Sequence, residues 1–161
     1  MQRKQFFSMG ALLLAAATHI ATSQTVPDGF EEEIQEQSLQ GLINDVDWIF
    51  GSGVANYDSG NDEYLVRLYA EQVADPCNLQ TEVNKILAGL PNQVGPYALS
   101  LGGRTVTFVE NREDDSPMNF IAIEGEVEVY SVGADTIEAG MAVLANENTW
   151  VNGKFTVTIC E

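Results

Sequence analysis

Histidine is almost absent from this chain, since the single histidine, His19, lies within an N-terminal segment that is expected to be removed. Without it there is no Ser-His-Asp or Cys-His pair and no imidazole to carry protons. A catalytic zinc site is also disfavoured, because most of these sites use at least one histidine. Phosphate-binding glycine loops, nucleophile elbows and Cys-x-x-Cys pairs are missing as well. These absences predict a protein that is not an enzyme.

Basic residues are scarce: seven Lys and Arg stand against 24 Asp and Glu, a formal net charge of −17. A surface of this sign repels nucleic acids and anionic lipid surfaces, so neither is expected as a partner. It is compatible with cationic partners and divalent metal ions, or it serves solubility alone. No second apolar run reaches the length of a membrane span, which predicts a chain that does not span a membrane.

The N-terminus has the organisation of a secretory signal peptide. A basic start at residues 2–4 precedes an uncharged apolar run at residues 6–17, which is too short for a stop-transfer helix. Small side chains at residues 21–23 predict cleavage before Gln24, so residues 1–23 are assigned to the signal peptide, with a retained anchor as the alternative. We therefore expect an exported protein, periplasmic or extracellular. Its five remaining basic and 24 acidic residues give a formal charge of −19.

The only two cysteines, Cys77 and Cys160, both lie in the mature chain. In an oxidising compartment an even pair of this kind predicts a disulfide, with two free buried thiols as the alternative. The bond would close a loop of about 84 residues and stabilise the fold by roughly 4–5 kcal/mol on the chain-entropy model. Neither sulfur would then be free for catalysis.

Residues 24–46 are acidic and rich in glutamine, and they predict a short N-terminal helix or a flexible arm. Asp28 and Glu31 have the spacing of a capping box, and Phe30 and Ile34 form a thin apolar stripe. From Asp47 the chain consists of short apolar stretches separated by turn residues, which is typical of an all-β domain. We expect a single β domain over residues 47–161, with about seven or eight strands in an antiparallel sandwich or a small up-and-down barrel.

Four local features of this domain are predicted. Residues 81–90 fit either a helix or a strand, and their neighbours favour a strand. Gly102-Gly103 predicts a tight hairpin between residues 97–101 and 104–110. Residues 118–132 predict one long strand that places Ile121, Ile123, Val127 and Val129 on one face and Glu124, Glu126 and Glu128 on the other. Asn152-Gly153 predicts a bulge in the last strand.

The second half of the chain resembles a loose group of secreted bacterial β domains of unknown function. The resemblance is carried by Asp75-Pro76-Cys77, Gly95-Pro96-Tyr97-Ala98-Leu99, Gly125-Glu126-Val127-Glu128-Val129 and the ending Val151 to Cys160. It covers about residues 64–161. The resemblance implies secretion, an all-β fold and the cysteine pair, and it implies no activity.

Carboxylates are the remaining candidates for chemistry. Asp58 and Asp62 lie in a polar turn with oxygen ligands of the kind that calcium prefers, although the spacing is not that of an EF-hand. Glu124 and Glu128 belong to the strand face just described, where neighbouring carboxylates lie about 6.6–6.8 Å apart. These four residues are predicted as cation sites for Ca²⁺, and no other cofactor is predicted. Ordinary turns, a solvated sheet face or an inverting glycosidase pair are the alternatives.

These observations favour a secreted, non-enzymatic binding or structural module of the cell envelope or extracellular space, with an unidentified protein or carbohydrate partner. A small barrel that carries an apolar ligand, as lipocalin-like folds do, is one alternative. A carboxylate-based hydrolase is the other. A free interior cavity would favour the carrier, a cleft with two facing carboxylates the hydrolase, and a filled core with an acidic or aromatic surface the binding module.

Overall fold

The computed structural model describes residue 27 and residues 29–78, 83–112 and 116–160. The predicted signal peptide, its cleavage site and Asp28 of the capping box lie outside these described residues. So do the first two positions of the segment 81–90.

The described chain is almost entirely β-structure, as predicted, but it forms more strands than the seven or eight expected. Its one helical element is a single 3₁₀ turn at Pro76–Asn78. The strands are β1 (Gln40–Ile43), β2 (Val46–Ile49), β3 (Ser52–Asp58), β4 (Glu63–Tyr69), β5 (Lys85–Pro91), β6 (Gly95–Ala98), β7 (Val106–Glu110), β8 (Met118–Ala122), β9 (Glu124–Val132), β10 (Thr136–Asn146) and β11 (Thr149–Cys160). The preference for a strand in residues 81–90 is confirmed from Lys85 onward.

The sheet curls into a half-barrel with the strand order β6-β9-β10-β11-β3-β4-β5-β7-β8. The strand with most partners is β11, which pairs with β10 along one edge. On the other edge, Trp150–Asn152 pair with β1, and Thr158–Cys160 pair with β3. The pairing with β3 is parallel, in contrast to the wholly antiparallel sheet that we predicted. One long strand therefore holds two separate parts of the N-terminal half.

The predicted long strand 118–132 is broken at Ile123 into β8 and β9. Next to the break, Gly125 has a φ of 118°, a conformation that glycine adopts readily and other residues avoid. The break resets the alternation of faces, so Ile121 is 57% exposed while Ala122 is buried. Placing Ile121 on the same face as Val127 was therefore wrong. The bend lets one segment pair with β7 and then with β10, which curls the sheet.

The hairpin predicted at Gly102-Gly103 is wrong, although a turn does form there. Gly102 has a φ of 82°, and the Ser100 amide donates to the Arg104 carbonyl oxygen at 3.0 Å. The flanking strands then diverge, because β6 pairs with β9 while β7 pairs with β5 and β8. A tight hairpin instead joins β1 and β2 through Asn44 and Asp45, both with positive φ. That combination is typical of the type I′ turn.

Side chains pack the interior of the half-barrel. Phe108, Leu68, Ile86, Met141 and Val129 are fully buried in one continuous core cluster. Burial of each large apolar side chain contributes about 1.5–3 kcal/mol, so this cluster is the main source of stability. The predicted disulfide is confirmed: Cys77 and Cys160 are bonded with a Cα–Cα distance of 5.7 Å. It ties the 3₁₀ turn to the end of β11.

Residues 29–39, which we name the strap, do not form the predicted helix. Its first part, residues 30–36, lies across the face of β10 and β11 that is turned away from the core, where Ile34 meets Gly140. Its end lies beside β11, hydrogen-bonded to Lys154, and buries Leu39 in the core. The β10–β11 register passes Asn152-Gly153 without a shift, so the predicted bulge is wrong. Gly153 lets the strap backbone approach β11 closely, because a Cβ there would lie 2.7 Å from the Gln37 carbonyl oxygen.

Candidate functional site

The strap is held by one buried amide, that of Asn152, which is only 1% exposed. Its Nδ2 donates to the carbonyl oxygens of Glu31 and Glu33 at 2.6 and 3.0 Å, and its Oδ1 accepts from the Gln35 amide at 2.9 Å. Both donor hydrogens and the acceptor are therefore used. A buried amide with all of its groups paired is a specific anchor, since any other position of the strap would leave polar atoms unsatisfied.

Contacts on both sides of Asn152 complete the docking of the strap. The ring of Phe30 packs edge-on against Trp150 at a centroid distance of 5.8 Å. Ile34 lies over Gly140, where a Cβ would come within 2.8 Å of Ile34 Cγ2. The absence of a side chain at Gly140 is thus what lets the strap lie close to the sheet.

Between the strap and the β6–β9 edge lies an open groove with a volume of about 680 Å³. We name it the acidic groove. Its lining residues come from four separate segments: Phe30 and Glu32 of the strap, Pro96 and Ala98 of β6, Glu124, Gly125 and Glu126 of β9, and Ala142 and Leu144 of β10. Its volume is within the range of about 300–1,000 Å³ that is usual for ligand sites.

The charged residues that line the acidic groove are all of one sign. Its floor is apolar, formed by Ala142 and Leu144, and three carboxylates surround it: Glu32, Glu124 and Glu126. None of the nine lining residues is basic. Three basic side chains are instead paired elsewhere, in the ion pairs Arg104–Glu63, Arg112–Glu110 and Lys154–Glu36. The groove therefore attracts cations and repels anions, and its floor accommodates apolar groups.

A second, shallower groove lies at the other end of the strap, around Tyr130 and Lys154. The ammonium of Lys154 lies 4.6 Å from the centre of the Tyr130 ring and forms an ion pair with Glu36 of the strap. Burial, followed by the nearby charge of Glu128, raises the pKa of Tyr130 to about 12. Because the Lys154 ammonium already interacts with Glu36 and Tyr130, this groove holds the strap in place and is a weaker candidate for a ligand site.

The predicted cation ligands Asp58 and Asp62 lie at the turn between β3 and β4, where other groups use their oxygens. Asp58 accepts from the Gly60 amide and from Asn61, at 2.9 Å in each case. Asp62 accepts from the Tyr57 hydroxyl at 2.8 Å, which lowers the pKa of Asp62 and raises that of Tyr57. This arrangement is that of a hydrogen-bonded turn.

The other two predicted ligands, Glu124 and Glu128, both belong to β9 but occupy different surroundings. Glu124 lines the acidic groove, whereas Glu128 lies near Tyr130. Within the described part of the chain, no three or more Asp, Glu, Cys or His side chains are grouped so that they could hold a metal ion. Cation binding at these residues stays a prediction.

Sequence analysis did not identify Glu32, Phe30 or Asn152 as site residues. The sequence predicts a short helix or a flexible arm for these residues, and their position on the sheet is a long-range contact that no local pattern encodes. Alternation along β11 places Asn152 on the outward face together with Lys154 and Thr156, where a polar side chain is ordinary, so no local signal marks it as an anchor.

Comparison of the chain with protein-family models, with curated proteins and with solved structures finds no match. No helix among the described residues has both the length and the apolar character that crossing a membrane would require. Functional inference therefore depends on the chemistry of the acidic groove, and the resemblance to secreted bacterial β domains stays a prediction.

Proposed function

We propose that this protein is an exported, non-enzymatic binding module that takes a cationic, partly apolar protein segment in the acidic groove. The observation that carries the proposal is the set of three carboxylates around an apolar floor, with no basic residue in the lining. Charge complementarity of this kind directs encounter and excludes partners of the wrong sign. It favours a basic protein segment over a carbohydrate, because neutral sugars offer no charge to the carboxylates.

Packing of the half-barrel supports a binding module over a carrier of apolar ligands. The side chains of Phe108, Leu68 and Met141 fill the region where a lipocalin-like fold would hold its cargo. The hydrolase alternative would have to pair Glu32 of the strap with Glu124 or Glu126 of β9 across the groove. All three carboxylates are exposed, whereas the general acid of a glycosidase lies in an environment that raises its pKa.

Export is part of the proposal. It is supported by the signal-peptide pattern and by the Cys77–Cys160 disulfide, a bond typical of oxidising compartments. N-terminal sequencing of protein recovered from outside the cytoplasm should begin at Gln24. A sequence that still began at Met1 would contradict export by cleavage.

A blocked pentapeptide, KLKFK, serves as a probe of the groove, with ELEFE as the control of opposite charge. Titration calorimetry should show binding of KLKFK, weakening with added salt, and no binding of ELEFE. Replacing Glu124 and Glu126 by Gln should weaken binding by about 1 kcal/mol for each exposed carboxylate, which is about fivefold for each.

The matched control replaces two exposed carboxylates outside the groove, Glu71 and Glu147, by Gln. This variant has the same net charge as the groove variant, so general attraction between a basic peptide and an acidic protein changes equally in both. Equal loss of affinity in the two variants would contradict a binding site at the groove. Failure of KLKFK to bind the wild-type protein would contradict the proposal itself.

A further inference from the structure

We infer that Asn152 is the positioning residue of the acidic groove, and that docking of the strap through this side chain completes the binding site. The inference rests on the proposed function, because it assigns to the strap one wall of that same groove. Asn152 does not line the groove. It acts through the backbone of the strap, whose residues Phe30 and Glu32 do line it.

The hydrogen bonds of Asn152 bracket Glu32. Its Nδ2 binds the carbonyl oxygens of Glu31 and Glu33, the two residues on either side. The Glu31 carbonyl belongs to the peptide group that precedes Glu32, and the Glu33 carbonyl to the one that follows Glu33, so the backbone is held on both sides of Glu32. The carboxylate of Glu32 is therefore held toward the groove by an amide that lies beneath the strap.

Asn152 is also next to the floor of the groove, since it pairs with Ala142 in the β10–β11 register. Two positions along the same two strands, Leu144 pairs with Trp150, against which Phe30 packs. The floor and the strap wall are thus joined through adjacent residues of two strands. A shift of the strap would move Phe30 and Glu32 and leave the β9 carboxylates in place.

The last residues of the strap are held independently of Asn152, because Leu39 is buried in the core and the backbone of residues 37–39 is hydrogen-bonded to Lys154. Residues 29–36 have no regular secondary structure, and apart from Asn152 they are held mainly by the packing of Phe30 and Ile34. Their ion pair to Lys154 is partly exposed, and pairs of this kind contribute little. Removal of the Asn152 amide leaves the carbonyl oxygens of Glu31 and Glu33 without partners, so they are satisfied better by water than at the sheet.

The consequence concerns selectivity as well as affinity. With the strap released, Glu124 and Glu126 still attract a cation, but the apolar wall at Phe30 is lost. The protein should then bind KLKFK and KGKGK about equally, whereas the wild-type protein should prefer KLKFK. By reciprocity, KLKFK bound to the wild-type protein should slow hydrogen exchange of the strap amides.

The experiment compares wild-type protein with Asn152→Ala and with the control Asn56→Ala, which removes the same side chain from β3. Hydrogen exchange measures the protection of the strap amides, and calorimetry measures the affinity for each of the two peptides. In Asn152→Ala we expect faster exchange in residues 29–36, unchanged protection of β4 and β5, and a roughly tenfold loss of affinity for KLKFK with loss of its preference over KGKGK. Asn56→Ala should behave as wild type.

A second variant, Ile34→Ala, loosens the strap without altering the sheet, and it tests the same coupling if Asn152→Ala does not fold. Faster strap exchange with unchanged peptide affinity and preference would overturn the inference and leave the proposed function standing. Unchanged strap exchange in Asn152→Ala would also overturn it. Failure of the wild-type protein to bind either peptide refutes the proposed function, and this inference with it.

Discussion

Replacing both cysteines of the Cys77–Cys160 bond by Ser should destabilise the protein by roughly 4–5 kcal/mol on the chain-entropy model. The bonded residues are 83 positions apart, so the disulfide greatly restricts the unfolded chain. Changing both residues avoids a free thiol that could form other bonds. Domains of this size are stable by about 5–15 kcal/mol, so the loss would remove a large part of the total.

The location of the bond makes the perturbation specific. Cys160 ends the parallel pairing of β11 with β3, where Thr158–Cys160 lie beside Val54–Asn56. Urea unfolding of the oxidised protein and of the variant would measure the difference in unfolding free energy. The slope against urea should be steeper for the variant, because an uncrosslinked unfolded chain exposes more surface. A loss below about 1 kcal/mol would refute the reasoning from loop entropy.

Two further predictions concern titration and cations. The pKa of Tyr130 is raised by burial and by Glu128 from 10.0 to about 12, so its stabilising contribution is present below pH 10.0 and is lost as the pH rises through about 12. Ultraviolet titration of Tyr130→Phe should lack the highest-pH tyrosinate step, and an unchanged titration curve would contradict the assignment. At matched ionic strength, calcium should raise the melting temperature saturably by several degrees over sodium, and less so after Asp58→Asn with Asp62→Asn. Equal melting curves would show only a solvated acidic surface.

Several features of the fold could be predicted because they depend on local patterns or on counting. Alternation in β10 and β11 places Met141, Val143 and Val157 inward, and all three are buried. Two cysteines allow only one intramolecular pairing, and that pairing is the one observed. The net charge likewise follows from composition. The same acidic excess is seen in the groove, which is lined by carboxylates and by no basic residue.

The features that were predicted wrongly depend on how distant parts of the chain pair in the sheet. A turn at Gly102 could be predicted, because glycine tolerates a positive φ, but the strands on either side choose distant partners. The pattern of apolar residues around Ile123 does not show that the strand breaks there. The break changes which side chains share a face of the sheet. The parallel pairing of β11 with β3 joins segments about a hundred residues apart. Pairing of this kind depends on how the whole sheet curls.

By itself, the sequence determined the strand-rich class of this protein, its disulfide and its excess of negative charge, since periodicity, composition and cysteine count are properties of the chain alone. The tertiary structure decided where that charge acts. It brought Glu32 from the strap beside Glu124 and Glu126 of β9, over a floor supplied by β10, and it placed Asn152 beneath the strap. A groove built from four distant segments exists only once the sheet has curled and the strap has docked, because each segment alone carries only part of its lining.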